Sequence, residues 1–125
     1  MTARRLVLVV DDEADQLETL RRGLFLHDID CLIARNQDEA LSHLEQPGGD
    51  RIELLLTDLT KPGKPGAELV ERARAARPSL PVLVITGLAL LPEVLALRAR
   101  GIPILRKPFT ADQLGHAIET LLGAR

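Results

Sequence analysis

The chain has 125 residues, 46% of them apolar, with 16 basic and 18 acidic side chains and a formal charge of −2. That length suits one domain, read here as a single unit over residues 1–125, and the scattered, nearly balanced charge argues against direct binding to nucleic acid or an anionic membrane. A single cysteine, Cys31, excludes an internal disulfide, and the five apolar residues between Arg5 and Asp11 are too few for a signal peptide or a membrane span, so a soluble, cytoplasmic protein is expected.

The first apolar run, Leu6–Val10, has the length of a buried strand, and so do Cys31–Ala34, Ile52–Leu56, Val82–Ile85 and Ile102–Leu105. Helical spacing fills the intervals. After the first strand, Leu17, Leu20 and Leu24 recur on one face. The second helix opens on Asn36 and Glu39, a variant of the capping box, and stops at Pro47-Gly48-Gly49. The third carries Leu69, Val70 and Ala73 and ends before Pro78. The fourth starts near Pro92 and ends at Gly101, and the fifth begins with a capping box from Thr110 to Gln113, turning Leu114, Ala117, Ile118 and Leu121 inward. Five strands alternating with five helices predict an α/β fold with a parallel sheet covered on both faces. Of the two common doubly wound orders, five strands favour 2-1-3-4-5, a flavodoxin-like (βα)5 arrangement.

Ligands in such sheets sit at the carboxyl ends of the strands, beside the point where the order reverses. The polar residues fall there. The first strand runs into Asp11-Asp12, the third into Asp58, the fourth into Thr86-Gly87 and the fifth into Lys107-Pro108. With strands one and three adjacent, three carboxylates are expected to converge. At ~5 Å and an effective dielectric of ~20, each unneutralised pair repels by roughly 3 kcal/mol. A hard divalent cation, best Mg2+, would remove that cost. Singly, Asp12 reads as a helix N-cap, Asp58 as a turn residue, Thr86 as a strand end and Lys107 as a surface lysine. Their joint placement favours a site.

The strings VLVVDDE, LLTDLTKPGKPG, VLVITG and ILRKPF resemble the receiver domain of two-component response regulators over essentially the whole chain. The resemblance implies that Asp58 accepts a phosphoryl group and that Asp11 and Asp12, with Asp58 and the carbonyl of Thr60, hold Mg2+. Thr86 would contact the phosphoryl oxygens and Lys107 would pair with the site. No organic cofactor is implied. The expected function is phosphorelay signalling rather than enzymatic turnover of a metabolite. A histidine kinase or phosphotransfer protein would be the donor, and a downstream effector protein the recipient, met through the fourth helix, fifth strand and fifth helix, where Arg98, Arg106 and His116 lie. A stand-alone regulator and the terminal receiver of a hybrid histidine kinase both fit, and kinase activity would belong only to the latter. The Lys107-Pro108 bond is expected to be cis, as in that family.

Two positions depart from the family pattern. Lys61-Pro62 replaces a Met-Pro step, and Ile104 stands where Tyr or Phe is usual. A β-branched residue lacks the ring that swings between exposed and buried states, so Ile104 is expected to stay largely buried. This keeps open an alternative, a degenerate receiver acting as an interaction module without phosphorylation. Thr60 and Leu88, flanking the acceptor and Thr86, offer no acid or amide to orient water, which implies slow dephosphorylation. A haloacid-dehalogenase-type enzyme would need an acid at position 60, and a flavin site would need more rings than Phe25 and Phe109. His27, His43 and His116 have no metal-ligand spacing, and Cys31 reads as an inert buried thiol.

Overall fold

The chain's structure, a computed structural model, describes residues 4–59, 66–88 and 90–123. Five strands, β1 (Arg5–Val10), β2 (Ile29–Ala34), β3 (Leu54–Asp58), β4 (Val82–Thr86) and β5 (Ile104–Arg106), form one sheet. Its order is β2-β1-β3-β4-β5 and every pairing is parallel. Helices α1 (Ala14–Phe25), α2 (Gln37–Glu45), α3 (Gly66–Ala76), α4 (Pro92–Ala99) and α5 (Ala111–Leu122) connect and follow the strands.

The period-2 geometry of a strand explains why continuous apolar runs are needed. Val7, Val9, Leu54, Leu56, Leu83 and Ile85 face one way and pack on Leu17, Leu20 and Leu24 of α1 and Leu114 and Ile118 of α5. The alternate residues Leu8, Val10, Leu55, Val82 and Val84 face the other way, onto α2, α3 and α4. The sheet therefore has two cores, and its carboxyl edge is left to polar residues.

The strand boundaries differ from the sequence reading by one residue at β1 and β4 and by more at the other three. β2 begins two residues early because Ile29 and Asp30 pair with Arg5 and Leu6, with Asp30 turned outward. β3 begins two residues late and runs through Asp58, because Ile52 closes a 3-10 turn over Gly49–Arg51. A Cβ at Gly49 would lie 2.3 Å from the Leu44 carbonyl oxygen, so only glycine lets that turn fold against the end of α2. β5 is three residues long, starting after Pro103, whose carbonyl accepts from the Val84 amide.

Capping follows the sequence more closely. Thr110 and Gln113 form both bonds of the capping box on α5. Asn36 caps α2 by accepting from the Glu39 amide at 2.9 Å, but the Glu39 carboxylate returns to the Arg35 amide rather than to Asn36. Among the described residues no helix is long and apolar enough to cross a membrane.

Candidate functional site

Register places the polar strand ends side by side. Val10 is opposite Thr57, so Asp11 and Asp58 are the next residues on adjacent strands. Asp58 is opposite Ile85 and Thr86 is opposite Arg106, which brings Thr86 and Lys107 to the same edge. Backbone bonds extend each ladder into the site: the Asp11 amide donates to Ala34, Leu59 to Ile85, and Lys107 to Thr86 at 2.8 Å.

The Lys107 ammonium donates to Asp58 Oδ2 at 2.6 Å, with the aspartate side chain 7% exposed. A charge-assisted bond of this kind fixes the orientation of the carboxylate. The Lys107–Pro108 peptide bond is cis, as expected.

Asp11 is 5% exposed. Its Oδ1 accepts from the Glu13 amide at 3.0 Å, while Oδ2 is buried without a hydrogen-bond donor. Burial pushes its pKa up to about 6; the neighbouring Asp58 charge adds to the rise, and the Glu13 amide and Lys107 oppose it. A carboxylate stays buried in such a place only if something positive or protonated compensates it. Asp12, the next residue, is exposed. It is not the N-cap of α1, a place taken by Glu13, which makes no side-chain cap bond.

The expected convergence of three carboxylates is thus only partly realised. Asp11 and Asp58 adjoin, and among the described residues no three acidic, histidine or cysteine side chains are grouped as a metal site. Two carboxylates still fit Mg2+, which keeps several waters and takes few protein ligands. The unpartnered Asp11 Oδ2 suits such a hard cation. Thr60, Lys61 and Pro62 lie outside the described residues.

Thr86 is fully buried. Its hydroxyl donates to the Leu59 carbonyl at 2.6 Å and accepts from the Leu88 amide at 2.9 Å. It therefore joins the chain after β3 to the chain after β4. Leu88 itself is exposed. Ile104 is half-buried, packed against the α2–α4 core, rather than largely buried as expected. A three-residue edge strand leaves one side of it open to solvent.

The remaining candidates stay apart from the site. His27 pairs with Asp112 and His43 approaches the Ile33 carbonyl, while Arg98, Arg106 and His116 are exposed. Burial, helped by Asp30, pushes the Cys31 thiol up to about 12, which makes it a poor nucleophile. Sequence reasoning missed the Glu13 amide and the Leu59 carbonyl. The first was readable, because aspartate habitually accepts from the amide two residues on. The second carried no signal, since a backbone carbonyl looks the same at every position.

Comparison with known proteins agrees with this geometry. Residues 7–119 match the family described as the response regulator receiver domain. The transcriptional regulatory protein FixJ of Bradyrhizobium diazoefficiens is 30% identical over 98% of this chain, which spans 58% of FixJ. The response regulator protein PilR of Pseudomonas aeruginosa is 33% identical over 98% of the chain, which spans 27% of PilR. The chain thus spans little more than half of one relative and about a quarter of the other. A response regulator receiver domain protein from Clostridium thermocellum superposes with a TM-score of 0.84 at 26% identity, covering 94% of each chain.

Proposed function

The chain belongs to the response regulator receiver domain family, and from that premise we propose that it is a phosphorelay switch accepting a phosphoryl group on Asp58. The observation that carries this reading is the Lys107–Asp58 contact at 2.6 Å beside a buried, half-unsatisfied Asp11. The lysine held on Oδ2 fixes the orientation of the carboxylate that attacks, and its charge screens the acidic pocket for an incoming anion.

In the proposed reaction an Asp58 oxygen attacks the phosphorus of a phosphohistidine on a histidine kinase or phosphotransfer protein. The new O–P bond forms as the P–N bond breaks, and the imidazole leaves and takes up a proton. Positioning and charge neutralisation supply most of the rate in phosphoryl transfer. Lys107 stays with the site and follows the phosphoryl oxygens. The Thr86 hydroxyl, released from the Leu59 carbonyl, donates to another of them. Asp11, Asp12, Asp58 and the Thr60 carbonyl would hold Mg2+, which when bound supplies the positive charge that offsets the phosphoryl oxygens. The acyl phosphate adds up to about two negative charges to the crevice. That change alters what Thr86 holds and is read by an effector protein.

Incubation with acetyl phosphate and Mg2+, followed by intact mass, tests this reading. A labile gain of one phosphoryl group, absent in Asp58→Asn, is expected. Uptake that persists in Asp58→Asn, or no uptake in the wild type, would overturn it and favour the phosphorylation-independent interaction module.

A further inference from the structure

His27 follows α1 in the turn that leads to β2. Its Nε2 lies 2.8 Å from Asp112 Oδ1, in the first turn of α5. The ring occupies a notch that exists because residue 115 is glycine: a Cβ there would sit 2.9 Å from His27 Cγ and 3.0 Å from Nδ1. Nearby, a Cβ on Gly23 would meet the Ala111 Cβ at 3.1 Å, so the two helices are also close at backbone level. The end of α1 and the start of α5 are therefore fitted to each other by one ring, one carboxylate and two glycines.

That first turn of α5 is close in sequence to the site. Only Pro108 and Phe109 separate Lys107 from the Thr110 cap, and Phe109 packs on the same core as Leu24 and Leu114. The reciprocal Thr110–Gln113 bonds, at 3.0 and 2.8 Å, keep the turn intact. On the other side of His27 the chain displays Phe25, 57% exposed, and Leu26, 81% exposed, before Asp28 adopts a left-handed φ of 63°. Arg4 stacks 4.3 Å above the Phe25 ring and bonds Asp28 and Asp30, which makes the turn a defined surface.

We propose that His27 is a latch linking the α1–β2 turn to the Lys107 end of α5, so that the apolar pair Phe25 and Leu26 responds to the state of Asp58. The inference rests on the reading of Asp58 as phosphoacceptor. A new anion at Asp58 changes what Lys107 holds. The intact first turn of α5 carries the displacement, and the ring seated in the Gly115 notch passes it to the turn. Linkage is reciprocal, so a ligand on Phe25 and Leu26 would alter the affinity of the site for a phosphoryl mimic by the same factor.

The test is backbone amide NMR with and without beryllium fluoride and Mg2+, a mimic of the phosphoryl group. In the wild type the Leu26, His27 and Asp28 amides should shift together with those of Thr86 and Lys107. In Asp112→Asn, whose exposed carboxylate leaves the core untouched, and in His27→Gln, the turn's shifts should fall to less than half. Those of Thr86 and Lys107 should persist. Gly115→Ala, which fills the notch, should act likewise, and the two polar variants keep the test open if it fails to fold. A silent turn beside a responding Thr86, or an undiminished turn response in Asp112→Asn and His27→Gln, would overturn the latch. No response anywhere would overturn the phosphoacceptor reading itself, and the latch with it.

Discussion

Helices α4 and α5 flank the same three-residue strand and are built in opposite ways. α5 has 12 residues, a full capping box at its start, the His27 contact in its first turn and buried Leu114 and Ile118 along its length. Its last carbonyl region is held as well, since the Arg5 guanidinium donates to the Gly123 carbonyl and pairs with Glu53. α4 has eight residues, no side-chain cap at Leu91, and only Val94 and Leu97 buried. It exposes Leu95 and follows the exposed Leu88 and Leu90, and an ion pair between Arg100 and Glu71 fastens its far end at the surface. A short helix with orphan amides and little burial sits at the low end of local stability. The lesson is a division of labour: α5 keeps its hydrogen bonds and moves as a piece, while α4 can rearrange. It is also α4 whose approach is tied to the site, through the Leu88 amide on Thr86.

The most drastic way to break this contrast is Asp58→Asn. Phosphoryl uptake should be lost entirely, and with it any phosphodonor-dependent change in amide exchange over Leu88–Ala99; wild-type α5 should keep its protection in both states. Equal deprotection of the two helices in the wild type would dissolve the distinction. Next in size is a pair of truncations read by denaturant unfolding. Ile118→Ala, fully buried under α5, should cost about 2–5 kcal/mol, and Leu95→Ala on α4 should stay within about 0.5 kcal/mol.

The acidic pocket contributes a third effect that separates site charge from helix anchoring. Asp11 holds its proton up to about pH 6 in the folded chain, against 3.8 for the ordinary value. Between those values the folded state binds the extra proton, so metal-free stability is greatest below the lower one and falls as pH rises through the upper. The loss, on the order of 3 kcal/mol, should appear in thermal melts between about pH 4 and 7 and shrink on adding Mg2+. Asp11→Asn should flatten the profile. Smaller again, Thr110→Ala should destabilise by about 1 kcal/mol through loss of the α5 cap, a bond that Leu91 on α4 does not have to lose. The smallest expected change is kinetic. Leu88→Glu would place a water-orienting acid where a leucine now stands, and should shorten the phosphoaspartate lifetime by no more than about tenfold, ~1.4 kcal/mol of barrier.

Much of the architecture was legible because strand periodicity and helix caps are local properties. Asn36, Thr110 and Pro92 marked helix starts at the positions the structure uses. Site placement followed from strand order, since Asp11, Asp58, Thr86 and Lys107 had only to stand at strand ends. What escaped was set by contacts that no strand or helix pattern carries. Ile52 reads as a strand residue until Gly49 folds a 3-10 turn ahead of it. Ile104 counted as core until β5 proved to be an edge of only three residues. The His27–Asp112 contact joins the turn after α1 to the first turn of α5, and no local pattern announces it.

The Arg5 clamp on Gly123 has a consequence for how such a unit is assembled with others. Arg5 opens β1 and Gly123 closes α5, so the first and last elements come within one side chain of each other. The residue that opens β1 and the residue that follows α5 therefore lie in a single small area of the surface. Units whose ends meet in this way can be spliced into a loop of a host protein, or cut open elsewhere and rejoined at the old ends. The same arginine that steadies a helix also makes the domain a plug with both prongs on one side.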